Sequence, residues 1–288
     1  GWVPTFDDAV ADVPSKGNQN GIFGYGSGVT AVTNLVSSSG VIGSDVSGVG
    51  TARQYLAACE YGGDKGIFSC GGSADTNLVS NAGVVATDVT MVGTSRTQLA
   101  ACSYGDDKGI FAYGYSGGFV SMSNLVSSSG VVASDVTGVG QARRYLAACE
   151  YGGDKGIFGY GVNGSPGATF SMTNLVTNVG VIGTDVSGVG TVKQQLGACG
   201  YGYDKGIFGY GAGPISLTNL VNNSGVVAAD VTGVGTARSR ISATQYAGDK
   251  GIFGYGDSGS VTAISNVVSN AGVVATDTSG VGTARSNL

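Results

Sequence analysis

The tripeptide G-I-F recurs six times, with its phenylalanine at Phe23, Phe68, Phe111, Phe158, Phe208 and Phe253, at successive spacings of 45, 43, 47, 50 and 45 residues. Each copy carries a second landmark, Asn34, Asn77, Asn124, Asn174, Asn219 or Asn266, inside a (T/S)-N-(L/V)-V segment. A third landmark is an aspartate after a short apolar run: Asp45, Asp88, Asp135, Asp185, Asp230 and Asp277. A fixed period of about 40 to 50 residues points to a solenoid or a propeller, and the secondary structure of the unit decides between them. Within a copy the apolar segments are short and bounded by glycine or Asn/Ser clusters: Y-L-A-A-C, G-I-F-G-Y-G, T-N-L-V and G-V-V-A-S-D-V. Such segments read as strands, because a helix needs roughly ten residues free of glycine. Four short strands per unit predict a propeller blade. Y-G-G-D-K supplies the hairpin turn between the first two strands, where glycine takes positive φ without steric penalty.

This turn chemistry accounts for most of the 54 glycines in 288 residues. Only 4 prolines and no Gly-X-Y period exclude collagen, and a hydrophobic fraction of 42% is enough to build a core. The chain has no histidine, which removes Ser-His-Asp and Cys-His catalysis and His-ligated metals. Fourteen Lys+Arg against 19 Asp+Glu give a net charge of -5, which argues against nucleic acid as a partner. No apolar run approaches the roughly 20 residues of a membrane span, and the start at Gly1-Trp2-Val3 lacks the charged-then-apolar order of a signal peptide.

The order of arginine, A-A, a Gly-rich turn, lysine, an apolar pair, an aromatic, glycine, a variable loop, asparagine and a last strand resembles a kelch repeat. Residues 142–190 show it as A-R-R-Y-L-A-A-C-E-Y-G-G-D-K-G-I-F-G-Y-G, a loop, T-N-L-V and G-V-I-G-T-D-V. The pattern covers the chain from Gly21 onward, with G-Y-G in place of the double glycine and no tryptophan after the fourth strand. The D-K-G-I-F-G-Y-G and T-N-L-V strings also resemble kelch-like repeat proteins of tailed bacteriophages. The resemblance implies an all-β, six-bladed β-propeller of four-stranded kelch-like blades.

The repeat divides the chain into an N-terminal tether or contact segment, 1–20, and a single propeller, 21–288. Its blades are 21–50 plus 283–288, 51–93, 94–140, 141–190, 191–235 and 236–282. The basic residue of the first strand recurs at Arg53, Arg96, Arg143, Lys193, Arg238 and Arg285, and nothing in that register precedes Gly21. The C-terminal strand, 283–288, is therefore expected to join the N-terminal blade and close the ring. The A-V-A-D-V segment before Pro14 is the other source for that strand.

Four of the five cysteines, Cys59, Cys102, Cys149 and Cys199, occupy one place in four repeats and read as small buried fillers; Cys70 stands apart. Asp64-Lys65, Asp107-Lys108, Asp154-Lys155, Asp204-Lys205 and Asp249-Lys250 come in five copies, as turn-forming pairs do and a catalytic dyad does not. No spacing matches a calcium loop, so neither a metal nor a cofactor is expected. Variation concentrates between the second and third strands, where the spans to the landmark asparagine are 9, 7, 11, 14, 9 and 11 residues. The longer loops of the third and fourth copies carry Tyr115, Phe119 and Phe170 with Asn163 and Ser165, a set suited to a sugar or a protein partner. Kelch proteins that recruit partners offer a ring of arginines, and by that resemblance Arg53, Arg96, Arg143, Arg238 and Arg285 are expected near the channel mouth. These features together predict a non-enzymatic structural or attachment module on an extracellular particle. A phage virion component, such as a tail fibre, spike or capsid decoration, fits best. It would bind other virion or surface proteins or a host-surface glycan, with residues 1–20 as an oligomer contact. The rival is a secreted, lectin-like carbohydrate-binding propeller. A kelch-type copper oxidase would need histidine ligands that this chain lacks.

Overall fold

A computed structural model describes residues 19–164 and 167–288. They contain no helix, and the chain is all-β, built of small antiparallel sheets, one main sheet per repeat. In repeats 2 to 6 a first strand (Leu56–Tyr61, Ala100–Tyr104, Ala147–Tyr151, Gly197–Tyr201, Ser242–Tyr246) pairs with a second (Lys65–Cys70, Lys108–Ala112, Lys155–Gly159, Lys205–Gly211, Lys250–Gly254). The second pairs with a third: Asp75–Val79, Ser123–Val126, Thr173–Val176, Ile215–Val221 or Ser265–Val268. In repeat 1 the described residues pair only a second and a third strand, Gly21–Gly24 and Thr33–Val36. The register is shared throughout, with the phenylalanine opposite the asparagine, as in Phe23 with Asn34 and Phe158 with Asn174.

The second strands are buried on both faces, which explains why isoleucine and phenylalanine stand side by side instead of alternating with polar residues. Each sheet packs on the next through glycine. A Cβ on Gly109, Gly156, Gly206 or Gly251 would lie 2.4–2.5 Å from the thiol of Cys59, Cys102, Cys149 or Cys199 of the preceding repeat. Aromatic pairs seal the same junctions edge to face: Tyr25 with Phe68, Tyr113 with Phe158, Tyr160 with Phe208, Tyr210 with Phe253, and Tyr255 with Phe23, at 5.1–5.4 Å between centroids. The last of these joins repeat 6 to repeat 1. The five first strands lie side by side in repeat order around a cavity of about 1230 Å³.

Two expectations need correction. The fourth segment is not a full strand: it makes isolated bridges such as Val36 with Ile42 and Thr33 with Val46, and only repeat 2 adds a short ladder, Val89–Thr90. The cause is the landmark asparagine. The Nδ2 of Asn34 donates to Gly43 O at 3.0 Å and to Asp45 Oδ1 at 2.9 Å, so a side chain takes part of the bonding that a ladder would use, and every repeat copies this.

The second correction concerns residues 283–288, which form no strand. They close repeat 1 mainly by side chains instead, with one backbone bond from Ser27 N to Ser286 O at 2.7 Å. Arg285 donates from Nη2 to Asn34 Oδ1 (2.6 Å) and from Nε to Tyr25 O (2.8 Å), and the Thr283 hydroxyl donates to Asp45 Oδ2 (2.6 Å). Arg143 repeats the first two of these bonds inside repeat 4. Gly282, at φ +83°, is required there, because a Cβ would lie 2.3 Å from Asp45 Oδ1.

Backbone hydrogen bonds also run in a complete circuit through one residue of each repeat. Tyr55 N donates to Asn287 O, Asn287 N to Arg240 O, Arg240 N to Gln195 O, Gln195 N to Tyr145 O, Tyr145 N to Gln98 O, and Gln98 N to Tyr55 O, all at 2.8–3.1 Å. All six residues have φ of 52–62°.

Arg285→Ala should cost about 2–4 kcal/mol in urea unfolding, as much as Arg143→Ala inside the chain, because each leaves buried polar partners unmatched. A loss below about 0.5 kcal/mol for Arg285→Ala alone would show that the end-to-end contact carries no stability.

Candidate binding face

The arginines expected near a channel mouth are not available to a partner. Arg53, Arg96, Arg143, Arg238 and Arg285 are all buried, and each guanidinium is bonded to its repeat's asparagine. Four lie over a tyrosine of the preceding repeat: Arg53 on Tyr25, Arg143 on Tyr113, Arg238 on Tyr210 and Arg285 on Tyr255. Such a cation can be buried only because amide, carboxylate and ring faces replace its water. The aspartates complete the pin. The Asp45 carboxyl is held below its ordinary value first by the Thr283 hydroxyl, then by the Asn34 amide, with burial opposing.

Lys193 stands where the other repeats have arginine. Burial is the main effect on it and lowers its pKa to about 8, with Asp230, 3.7 Å away, opposing. The cysteine fillers behave as expected of small core residues. Burial pushes the Cys199 thiol up to about 12 and those of Cys102 and Cys149 well above their ordinary value. The Asp-Lys pairs lie in the hairpin turns, bonded to each other at 2.5–3.2 Å, and are half-exposed except at Asp249, which is buried.

At the opposite end, where the six-residue circuit lies, part of the expected loop set comes together. Tyr115 and Phe119 form a bridge with ring centroids 5.7 Å apart, and the Arg144 guanidinium lies 5.0 Å from Tyr115 and 5.2 Å from Phe119. Arg144 is also 5.2 Å from Tyr145, whose ring meets Tyr55 at 6.1 Å. Arg144 is fixed by backbone bonds to Val162, which opens the hairpin of Val162–Gly164 and Gly167–Thr169. Among the described residues no carboxylate pairs with it, whereas Arg240 is paired with Asp257 at 3.1 Å. Asn163 is nearby, but its amide donates to Ala142 O at 2.7 Å. Phe170 closes the base of the hairpin through Gly161 O and, among the described residues, makes no ring contact with the cluster. Ser165 lies outside the described residues.

Arg144, Tyr145 and Tyr55 were not anticipated. Aligned copies held a signal for the two tyrosines: the position two residues after the pinning cation reads Tyr55, Gln98, Tyr145, Gln195, Arg240 and Asn287, whereas the next position is leucine or isoleucine in every copy. Among the described residues no three cysteines or carboxylates gather as a metal site, and no helix is long and apolar enough to cross a membrane. A scan against protein-family models and a search of curated proteins each found no match.

The depressed pKa of Lys193 fixes a pH dependence. An unfolded lysine titrates near 10.5, so between about pH 8 and 10.5 the unfolded state keeps a proton that the folded state has released, and stability rises with pH. Wild-type stability should gain roughly 2 kcal/mol from pH 8 to 9.5 relative to Lys193→Met, measured by urea unfolding in parallel buffers. Parallel curves for the two proteins would refute the assignment.

Proposed function

We propose that the chain is a six-bladed, kelch-like β-propeller serving as a non-enzymatic structural or attachment module of an extracellular particle. A phage tail fibre, spike or capsid decoration is the form it fits best. The hydrogen-bond circuit and the Arg285 pin support a ring of six units. The observation that carries the structural role is a repeated set of exposed valines. Val41, Val84, Val131, Val181, Val226 and Val273, one per repeat, are each 59–65% exposed, while the next residue in each case is buried. A second exposed valine, such as Val46, Val89 or Val136, follows in most repeats. Apolar surface repeated in register suits packing against protein neighbours better than a free monomer. Other virion or surface proteins are the partners this implies. Residues 1–18 of the expected tether lie outside the described residues.

The Arg144 cluster favours a second reading, a glycan receptor. Aromatic faces beside an uncompensated guanidinium suit a sugar that carries a carboxylate.

Sedimentation velocity and particle co-purification separate the readings. Val84, Val131 and Val226 replaced together by lysine should abolish particle association or self-association while leaving the melting temperature within a few degrees. Unchanged association would overturn the structural reading. For the glycan reading, Arg144→Ala should weaken binding to acidic glycans on an array at least about tenfold. No acidic-glycan binding by the wild type would end it.

A further inference from the structure

Repeat 5 keeps the geometry of the shared pin and changes its chemistry. It carries Lys193 where the other repeats carry arginine, while Asn219 and Asp230 stand as their counterparts do elsewhere. Lys193 Nζ donates to Asn219 Oδ1, which places an amine one bond from the amide carbon Cγ. The amide is held in that orientation from its other side, because Nδ2 donates to Ala228 O at 3.0 Å and to Asp230 Oδ1 at 2.9 Å. Asp230 Oδ1 is also 3.7 Å from Lys193 Nζ, so one carboxylate oxygen faces both nitrogens.

The surroundings exclude water from this pair. The Lys193 side chain and Asn219 are fully buried, and the Tyr160 ring covers Nζ at 5.2 Å. Among the described residues, Asp230 and Tyr160 are the titratable groups that face the amine. Burial outweighs Asp230 and lowers the Lys193 pKa to about 8, so a free amine is within reach of neutral pH. Burial also acts on Asp230, but bonds from the Thr191 hydroxyl and the Asn219 amide hold its pKa below the ordinary value, and it stays a carboxylate. An arginine in the place of Lys193 is always protonated and cannot act as a nucleophile, so the other five repeats hold the same amide without reacting with it.

We propose that Lys193 and Asn219 form an intramolecular isopeptide bond. The unprotonated Nζ attacks Asn219 Cγ, a C–N bond forms and the Cγ–Nδ2 bond breaks. Asp230 carries the proton lost by Nζ to the departing Nδ2, which leaves as ammonia, and no oxidant or co-reactant is consumed. Holding both groups in one buried site supplies the effective concentration that an amine and an unactivated amide lack in water. Asp230 is 25% exposed, which gives the ammonia a way out. The bond ties the segment that enters repeat 5 to its third strand, Ile215–Val221, across 26 residues, and replaces a buried charge by a neutral amide. The pH dependence derived above for Lys193 belongs to the unlinked chain.

The mass of the folded full chain tests this. Incubated at pH 9, the protein should become lighter by one ammonia, about 17 Da. Trypsin should then leave Lys193 uncut, in a branched peptide that joins residues 156–205 to residues 206–238. The link should form about tenfold faster at pH 9 than at pH 7, following the free amine. Lys193→Arg, which restores the residue of the other repeats, should keep its full mass. Asp230→Asn should slow the link at least about tenfold, although it also frees more amine. A wild type that keeps its full mass after days at pH 9 would overturn the proposal. Loss of ammonia without the branched peptide would overturn it too, since that marks ring closure of Asn219 onto its own backbone.

Discussion

A buried cation in every repeat is the constraint on which the rest of this structure depends. Removing a guanidinium or ammonium from water costs several kcal/mol, and only a full set of partners offsets it. Those partners come from three separated stretches: the asparagine of the third strand, the aspartate about eleven residues later, and the residues around the cation itself. To hold the set, the turn before the cation must be a glycine, because its Cβ would strike both asparagine and aspartate. The asparagine must also turn its amide toward the returning segment, which limits that segment to isolated bridges. The loop between second and third strands meets these atoms only at its first residue, where Tyr25 O and Tyr160 O accept from Arg285 and Arg143, and it is the stretch whose length varies.

Much of this was legible in the sequence because it is local. The hairpin at Y-G-G-D-K, the G-I-F-G and T-N-L-V strands and the six-part period all follow from alternation, glycine placement and counting. The pin was not legible, because burial of an arginine is decided by partners some 24 to 35 residues away and no pattern of neighbours reports it. G-Y-G misled in a similar way. Tyr25, Tyr113, Tyr160, Tyr210 and Tyr255 adopt φ of 63–66°, a conformation that sequence would assign to glycine, and each buried ring makes an edge-to-face contact that helps hold it there. Of the candidate site, Tyr115 and Phe119 were found by loop length. Arg144 was not, since beside Arg143 it reads as a second copy of the same residue, although one is buried and the other lies over aromatic rings.

The junction between repeats 2 and 3 shows what the shared scheme contributes. Cys70 replaces the tyrosine there, at φ 67°, and Met91 fills the space beside it. Arg96 consequently has no ring beneath it, whereas Arg53, Arg143, Arg238 and Arg285 each lie over a tyrosine. An edge-to-face pair and a cation–π contact are each worth roughly 1 kcal/mol, so this interface is weaker than its neighbours by about that order. In an array where each unit mainly contacts the next, the weakest interface is where opening begins.

The repeats also separate holding from recognition. Positions that are the same in every copy are spent on contacts inside or between sheets: the asparagine and phenylalanine present little to solvent, and the partly exposed aspartate is bonded to the asparagine of its repeat. The Asp-Lys turns at one end are neutralised pair by pair. The residues that differ between copies, Tyr55, Gln98, Tyr145, Gln195, Arg240 and Asn287, follow one another around the hydrogen-bond circuit, with the variable loops beside them. Their backbones are fixed by that circuit, so their side chains can change without disturbing a pin. A chain built this way can alter what it recognises at that end while its scaffold stays constant, and the asymmetric cluster of Arg144, Tyr115 and Phe119 lies there.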